Sequence, residues 1–383
     1  MATKLFAKAG LFQTVLIGAL IVTAVSFASA DHLTSTAQPA AASTGPVTLT
    51  GLDAHDGTVV QANGIDYLYG TRYGCGYHWL QANTPFCGFG VWSSTDDAHW
   101  TYHGLLFDPT GTDSWSGDGG HDWNWVCGSG GQGCFNPRMV QRSSDGTWIL
   151  WFNAPGDFSR SRANAYYAMG CQGPLGPCGD DPRVGTPGWV GTTHKPALYI
   201  CSDNGDMSIV QDSGTAYILC TESDQTLAVE KLDQWWTNGV NVGTRKPAGL
   251  TNVEAPGAFK NADGTWVLTY SDPNCGYCAG TGTGYATASG LLASWSAPAN
   301  TGIAAPATGR RDISATSCGG QPRTVLTMNG APYEWIDLWD QQDGQVTNQT
   351  TAGIQLEPLV TNPPFSVTPN GTPWIGGLRP FQC

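Results

Sequence analysis

A short turn-and-strand pattern occurs five times along this chain of 383 residues, and it restricts the fold more than any other feature. Each copy is a glycine-containing turn followed by alternating aromatic and aliphatic residues, which is the pattern of a β-hairpin. The turn glycines are Gly64, Gly146, Gly214, Gly264 and Gly330. Their separations of 82, 68, 50 and 66 positions suit sheets of about fifty residues that carry loop insertions. Five such sheets predict an all-β fold, a five-bladed β-propeller.

The composition supports this interpretation. The chain has 51 Gly, 24 Pro, 16 Trp and 13 Tyr but only 12% charged residues, and no long stretch has helical periodicity. A sandwich or jelly roll would also have many short strands, but it would not repeat one turn signature in every unit. The net charge of −13 disfavours a nucleic acid or an anionic membrane as partner, because neither attracts an acidic surface. A neutral sugar as partner is compatible with this net charge.

The N-terminal segment has the three regions of a secretory signal peptide. Lys4 and Lys8 precede an apolar run from about Leu11 to Phe27, and Ala28-Ser29-Ala30 is typical of a cleavage site. We therefore expect a signal peptide at 1–30, a flexible leader at 31–50 rich in Ser, Thr, Ala and Pro, and one propeller domain at 51–383. The mature protein is predicted to be secreted and monomeric.

All twelve cysteines follow the predicted signal peptide, and their even number favours disulfides. Neighbours in sequence suggest the pairs Cys75–Cys87, Cys127–Cys134, Cys171–Cys178 and Cys201–Cys220, although spacing alone leaves the connectivity open. The short C-terminal tail is expected to close the last blade, with Cys383 joined to Cys318. Cys275-Gly-Tyr-Cys278 has the spacing of a redox or zinc motif, but its Gly-rich setting and the lack of a second CxxC argue against that chemistry.

Polar residues recur at a similar distance before the turn glycines. Asp56 and Asp206 lie eight residues before theirs, Glu254 ten and Gln321 nine, at the predicted start of each innermost strand, beside the central funnel. Glycoside hydrolysis needs one carboxylic acid and one carboxylate, and a third acid nearby raises the pKa of the proton donor. The pattern therefore predicts a glycosidase site.

The second repeat has no acid at this place. Cys134-Phe135-Asn136-Pro137 stands there instead, and Asn136 either hydrogen-bonds a sugar hydroxyl or satisfies the backbone beside Pro137. Asp122, in a nearby loop, is either a substitute acid or a structural turn residue.

With these residues in place, the chain resembles the five-bladed glycosidases of glycoside hydrolase family 43, from about Leu52 to Trp339. "DGTVVQANGIDYLYGT" is similar to the family's general-base segment, which implies that Asp56 is the base. "VEAPGAFKNADGTWVLTYS" resembles the segment of the general acid and assigns that role to Glu254. "DMSIVQDSGTAYIL" resembles the segment whose aspartate modulates the acid, here Asp206. The resemblance implies an inverting mechanism.

Several motifs resemble the exo-β-1,3-galactanase branch of that family: Ala54-His55, "NPRMVQRSSDGTWILWF", the "EAP" form around Glu254, and Gln321 before "PRTVL". That branch places a glycine after the histidine, uses its glutamine near the water, and carries a substrate-binding glutamate two residues before the proline of the second repeat. This chain has Asp56 in place of that glycine and Phe135 in place of that glutamate.

The resulting hypothesis is an inverting, exo-acting glycosidase, with exo-β-1,3-galactanase as the best guess. An arabinofuranosidase or xylosidase of the same family and a non-catalytic sugar-binding propeller are the alternatives. His55 is a candidate for binding sugar or water, and Trp339 and Tyr277 are candidate stacking platforms, although core packing is the simpler interpretation of both aromatics. The expected partner is an oligo- or polysaccharide. No cofactor is expected to be required. A structural calcium in the channel is an open alternative that no ligand cluster in the sequence supports.

Overall fold

The computed structural model describes residues 45–79, 81, 83–111, 123–128, 133–154, 166–179, 196–202, 205–245, 249–296, 303–304, 308–342, 345–346, 348–360, 378 and 380–383. The predicted signal peptide, most of the predicted leader and Asp122 lie outside the described residues. Among the described residues, no helix is long and apolar enough to cross a membrane.

Short strands dominate this part of the chain. The strands are β1 Val47–Leu49, β2 His55–Ala62, β3 Ile65–Thr71, β4 Phe89–Ser94, β5 Thr101–Leu105, β6 Phe135–Gln141, β7 Trp148–Asn153, β8 Tyr166–Cys171, β9 Met207–Asp212, β10 Thr215–Thr221, β11 Leu227–Leu232, β12 Gly239–Arg245, β13 Glu254–Lys260, β14 Trp266–Asp272, β15 Gly282–Ala288, β16 Ile303–Ala304, β17 Arg311–Ser314, β18 Gln321–Met328, β19 Ala331–Leu338, β20 Gln341–Gln342, β21 Gln345–Val346 and β22 Gly353–Pro358. The helical turns are a π-helix at Asn124–Gly128 and 3₁₀ helices at Ser317–Gly319 and Gln349–Thr351.

Twenty of these strands pair into five antiparallel sheets, which we number as blades 1 to 5, and β20 and β21 form a separate two-stranded sheet. Their strand orders are β2-β3-β4-β5, β6-β7-β8, β9-β10-β11-β12, β13-β14-β15-β17-β16 and β18-β19-β22-β1. The first strand of each blade contacts the first strands of both neighbouring blades, in the ring order β2, β6, β9, β13, β18 and back to β2. This arrangement confirms the predicted five-bladed β-propeller.

The hairpin between the first two strands of each blade carries the repeated glycine. In blades 1, 3 and 5 the turn has two residues with positive φ, for example Asn63 at 53° and Gly64 at 75°. Turns of this hand match the twist of antiparallel strands and favour Asn-Gly. The turns at Gly146 and Gly264 join strands whose last paired residues are farther apart, Gln141 with Trp148 and Lys260 with Trp266. The repeat therefore marks the same hairpin in every blade, with turns of different length.

Blade 5 closes the ring with strands from both ends of the described chain. Strand β1 pairs with β22 through Val47 and Leu356, and β22 pairs with β19. The sequence placed residues 47–49 in a flexible leader, and the structure corrects that boundary. Their burial pattern explains the difference, because Leu49 is 6% exposed and packs in the core between blades 5 and 1.

Five apolar clusters fill the spaces between successive blades. One cluster joins blades 1 and 2 around Phe89 and Phe152, and the others join blades 2 and 3, 3 and 4, 4 and 5, and 5 and 1. Each blade is therefore buried on both faces, and its strands read as near-continuous apolar runs, such as β7, which is buried throughout. This closed ring holds the ends of the innermost strands at fixed positions.

Six disulfides connect all twelve cysteines. The four local pairs expected from sequence are confirmed, and so is Cys318–Cys383, which ties the C-terminus to blade 5. Cys275 pairs with Cys278, so neither thiol of that motif is left to bind metal. This density of disulfides is typical of proteins from oxidising compartments.

Candidate active site

Five residues occupy the same place in the five blades, at the start of the innermost strand. Each pairs with the residue seven positions after its turn glycine, a set made up of Thr71, Asn153, Thr221, Ser271 and Asp337. Their partners at the strand starts are His55, Phe135, Asp206, Glu254 and Gln321. Four polar side chains and one aromatic side chain therefore form a ring around one end of the central funnel.

β-Bulges explain why counting residues back from the turn glycine put Asp56 at the place that His55 holds. The sequence aligned Asp56 with Asp206 and Glu254, but His55 holds that place and Asp56 follows it inside a bulge between His55 and Thr58. Similar irregularities interrupt the innermost strands of blades 2, 4 and 5, and an extra residue in one strand changes the distance to the turn. Asp56 has a φ of 54°, a left-handed conformation that is uncommon outside glycine.

Arg323 is the cation at the centre of the site. Its guanidinium nitrogens lie 2.6 Å from Asp56 Oδ1 and 3.0 Å from both oxygens of Asp206. Nη2 also donates to Asn136 Oδ1 at 3.2 Å. The pKa of Arg323 is raised because these carboxylates outweigh the cost of burying the charge. One buried arginine therefore holds together residues from blades 1, 2 and 3.

A second arginine, Arg138, lies beneath the first and binds mainly backbone. It donates to the carbonyl oxygens of Asp56, of Gly57 at 2.7 Å and of Met207 at 3.0 Å. Burial lowers the pKa of Arg138 to about 10, so the side chain stays charged at neutral pH. Because the bulge in blade 1 leaves carbonyl groups outside the sheet ladder, this arginine satisfies them and fixes the backbone under Asp56.

Asn136 forms hydrogen bonds with the charged residues of the site. Its amide nitrogen donates to Asp206 Oδ1 at 2.8 Å and to Asn153 Oδ1 at 3.0 Å, while its oxygen accepts from both arginines. The amide of Asn136 therefore positions charged side chains, a role beyond the two that the sequence suggested, and its contact with a sugar stays a prediction. Asn136 is fully buried.

Glu254 is mostly buried in blade 4 and has neutral hydrogen-bond donors. Gln321 Nε2 donates to its Oε1 at 2.7 Å, and the backbone N–H of Cys275 donates to the same oxygen at 2.9 Å. Burial, followed by the negative charge of Asp206, raises the pKa of Glu254 to about 8. With Oε1 accepting two hydrogen bonds, the proton of the acid form belongs on Oε2.

Gln321 has both ends of its amide engaged. Besides Glu254, its nitrogen donates to the carbonyl of Cys275, and its oxygen accepts from the indole N–H of Trp339 at 2.7 Å. Trp339 is 6% exposed and lies with its ring centroid 4.6 Å from that of Tyr277. Both aromatics are buried, in agreement with the core-packing interpretation, and Trp339 supports Gln321.

One carboxylate oxygen of Asp56 binds a cation, and the other has no hydrogen-bond partner. Oδ1 binds Arg323, the backbone N–H of Asp56 donates to Asp337 Oδ2 at 2.8 Å, and Oδ2 is buried without a hydrogen-bond partner. Burial raises the pKa of Asp56 to about 7, although Arg323 opposes this, and Asp337 and Asp206 add to it. Asp56 is therefore an ionisable group that changes charge near neutral pH.

His55 is fully buried beside it. Its Nδ1 lies 3.7 Å from Asp337 Oδ1, too far for a good hydrogen bond, and neither ring nitrogen has a partner. Burial lowers the pKa of His55, but the negative charges of Asp337, Asp56 and Asp53 outweigh burial and leave it raised.

An aromatic cluster covers this side of the funnel. It consists of Tyr73, Tyr77, Phe135, Tyr277 and Trp339, with Trp79 packed against it. The hydroxyls of Tyr73 and Tyr277 lie 2.8 Å apart and join loops of blades 1 and 4, which are not neighbours in the ring. The disulfides Cys75–Cys87 and Cys275–Cys278 restrain the two loops.

The structure thus brings together Asp56, Asp206, Glu254, Gln321, His55, Asn136 and Trp339, the residues singled out from sequence. The sequence analysis missed Arg138, Arg323 and Asp337. A signal existed, because Asn136-Pro137-Arg138 and Gln321-Pro322-Arg323 place an arginine inside an apolar strand of a chain with few charges.

Two groups of metal-ligand residue types come close together among the described residues, Cys201 with Cys220 and Glu222, and Cys318 with Glu357 and Cys383. Each includes a disulfide, so the sulfurs are not thiolates and neither group is a metal site. A structural calcium stays without support.

No family model and no curated protein matches the chain. Several solved structures match the chain. An exo-β-1,3-galactanase from Phanerochaete chrysosporium with galactose matches with a TM-score of 0.57 at 18% identity, over 80% of this chain and 61% of that one. A GH43 β-1,3-galactosidase with galactodeoxynojirimycin matches with a TM-score of 0.58 at 16% identity, over 85% and 95%. An exo-β-1,3-galactanase from Clostridium thermocellum matches with a TM-score of 0.56 at 15% identity, over 81% and 60%.

At these identities the likeness is one of fold. The chain also spans less than two thirds of the length of the Phanerochaete chrysosporium and Clostridium thermocellum structures.

Proposed function

We propose that this chain is a glycoside hydrolase that releases single sugars from the end of a polysaccharide with inversion. The observation that carries the proposal is the pairing of Glu254, whose pKa is raised to about 8, with Asp56, which is held by Arg323 at the same end of the funnel. A proton donor and a carboxylate in one cleft are what glycosidic bond cleavage needs. The similar folds named above include enzymes that act on β-1,3-linked galactose, which supports the same class of reaction.

Glu254 is the proposed general acid. Its raised pKa keeps it protonated at neutral pH, and the two donors on Oε1 leave the proton on Oε2 for the glycosidic oxygen. Asp206 sustains this state, since its negative charge disfavours ionisation of Glu254. In the reaction the proton of Oε2 moves to the leaving oxygen as the bond to the anomeric carbon breaks.

Asp56 is the proposed general base. Arg323 occupies Oδ1 and favours the carboxylate, while Oδ2 is available to accept a proton from water. The water oxygen then bonds to the anomeric carbon, and Glu254 and Asp56 end the reaction with their protonation exchanged. The family resemblance also implies a place near the water for Gln321, but its amide is already bonded to Glu254, Cys275 and Trp339. Gln321 is therefore assigned to orienting Glu254.

The proposed substrate is β-1,3-linked galactan attacked from its end. The pocket differs from the pattern of the resembling enzymes at Phe135, the one aromatic member of the ring of strand starts. Arabinofuranosides and xylosides therefore belong in the same test. A purely sugar-binding propeller would need Asp56 or Asp206 turned away from the site, whereas both contact Arg323. Secretion and a monomeric state remain predictions.

The test is sugar release from β-1,3-galactan, arabinan and xylan fragments by the wild type and by Glu254→Gln. We expect the variant to lose roughly 10²- to 10⁴-fold in kcat/KM on natural linkages, because it has no proton for the leaving oxygen. On a dinitrophenyl glycoside, whose leaving group needs no proton, the loss should be much smaller. Asp263→Asn, on the exposed turn of the same hairpin, is the matched control. Equal activity of Glu254→Gln and wild type on every substrate would end the proposal.

A further inference from the structure

Four polar atoms near Asp56 are buried without a hydrogen-bond partner: Asp56 Oδ2, His55 Nδ1, His55 Nε2 and the Tyr77 hydroxyl. Buried polar groups in folded proteins are almost always bonded to protein, water or ligand. Several unpaired atoms around one place indicate a niche that a small polar species fills. The proposed function uses only Asp56 among them.

Tyr77 is linked to His55, the neighbour of Asp56 in sequence, through the ring of Tyr73. Its ring lies 5.3 Å from the Tyr73 ring, which in turn lies 5.3 Å from the His55 ring. Apart from burial, the charge of Asp56 is the influence that raises the pKa of Tyr77. Tyr77 is therefore a neutral hydroxyl within electrostatic reach of the proposed base, and it is only 1% exposed.

The surroundings of Tyr77 make room for its hydroxyl. Gly133, in the loop before blade 2, has a φ of 76°, and a Cβ at that position would lie 2.3 Å from the Tyr77 oxygen. The disulfide Cys75–Cys87 restrains the loop that carries Tyr77. A phenylalanine would fill the same space and leave no buried polar atom unpaired, so packing alone does not account for the hydroxyl.

The neighbouring tyrosines differ in this respect. The hydroxyls of Tyr73 and Tyr277 pair with each other at 2.8 Å, and the buried hydroxyl of Tyr69 donates to the carbonyl of Pro174 at 2.8 Å. Tyr77 alone in the aromatic cluster keeps a buried hydroxyl without a partner. Its hydroxyl is thus free for a species that enters the niche.

We infer that Tyr77 is a positioning residue that holds the attacking water against Asp56, an inference that rests on the proposed glycosidase function. The water donates one hydrogen to Asp56 Oδ2 and the other to the Tyr77 oxygen, which leaves a lone pair of the water oxygen for the anomeric carbon. When the new carbon–oxygen bond forms, the O–H bond directed at Asp56 breaks and its proton moves to Oδ2, while Tyr77 neither gains nor loses a proton.

The test compares Tyr77→Phe with Tyr69→Phe, using the sugar substrate that the wild type cleaves. We expect Tyr77→Phe to lower kcat by roughly ten- to a hundredfold, as loss of a group that aligns a reactant does, with KM within about twofold. Its midpoint of thermal unfolding should stay the same or rise, since no hydrogen bond within the protein is lost. Tyr69→Phe, which removes a hydroxyl bonded to Pro174 in the core between blades 1 and 2, should show the opposite pattern, with a lower unfolding midpoint and an unchanged kcat.

Three results would overturn the inference. An unchanged kcat for Tyr77→Phe, while Glu254→Gln is inactive, removes the role of Tyr77 and leaves the proposed function standing. A fall in kcat accompanied by a matching rise in the inhibition constant of the product sugar shows that the hydroxyl holds sugar instead of water. Absence of any sugar release by the wild type removes the function and this inference together.

Discussion

The two proposed catalytic carboxyls lie at one end of the funnel, in unlike surroundings. Glu254 faces neutral donors, Gln321 and the Cys275 N–H, whereas Asp56 touches the guanidinium of Arg323 and lies beside the aromatic cluster. Burial is the largest cause of the raised pKa in both. The difference teaches that burial alone does not assign roles. The guanidinium in contact with Asp56 makes it the easier group to ionise and leaves Glu254 as the proposed proton donor.

Replacing Arg323 by methionine is expected to have the largest effect, because it removes the cation that distinguishes the surroundings of Asp56 from those of Glu254. Asp56 and Asp206 would lose their cation, and unpaired buried charges cost about 3–5 kcal/mol. We expect that loss in the free energy of unfolding at neutral pH, measured by denaturant titration, together with loss of activity. The loss should shrink at acidic pH, where Asp56, whose pKa is raised by burial, binds a proton and no longer needs the cation.

Arg72→Met is the control for that experiment, because Arg72 also pairs with an aspartate, Asp53 at 3.2 Å, but its side chain is 30% exposed. Exposed ion pairs contribute at most about 1 kcal/mol. Equal stability losses in the two variants would contradict the central role of Arg323.

The pH dependence of kcat/KM sharpens the contrast without disturbing the fold. Asp56 acts when ionised and Glu254 when protonated, so activity should rise through pH values near 7 and fall through values near 8. The charge of Asp206 raises both pKa values. Asp206→Asn should therefore move both limbs to lower pH, whereas Asp263→Asn should leave them in place. If neither limb of the pH profile moved in Asp206→Asn, Asp206 would not be what raises the pKa values of Asp56 and Glu254.

The smallest predicted effect concerns the support of the acid. Trp339→Phe keeps most of the ring packing but removes the indole N–H that donates to Gln321 Oε1 at 2.7 Å. Loss of one buried hydrogen bond costs about 1 kcal/mol, and a looser Gln321 should lower kcat/KM severalfold on natural linkages. Thermal unfolding and kinetics measure the two effects. A variant that loses stability but keeps full activity would separate Trp339 from the orientation of Glu254.

Much of the fold was readable from sequence because each blade is a local unit. A hairpin turn such as Asn63-Gly64 needs positive φ at both residues, so it leaves a sequence signature wherever it occurs. Disulfides between near neighbours, such as Cys171 and Cys178, can likewise be predicted from the spacing of cysteines along the chain. Glu254 and Gln321 were found because they stand at the same place in repeated units.

The misplacement of Asp56 by one position has a physical cause. A bulge adds a residue to one strand without changing its partner. The spacing from Asp56 to Gly64 is the same as from Asp206 to Gly214, although of these two blades blade 1 has a bulge and blade 3 has none. Counting residues along the chain therefore cannot distinguish His55 from Asp56. Only the pairing of His55 with Thr71 does.

The sequence by itself determined the repeat of five hairpins, the cysteine pairs between neighbours and the presence of acids at the strand starts, because these depend on residues close together in the chain. The tertiary structure decided the surroundings of each acid, and with them the proposed proton donor and the proposed water niche. Those properties depend on Arg323, Asp206 and Tyr77, which come from three different blades. The pKa of a carboxyl is set by charges and solvent within a few ångströms of it, and closure of the propeller ring creates those neighbours.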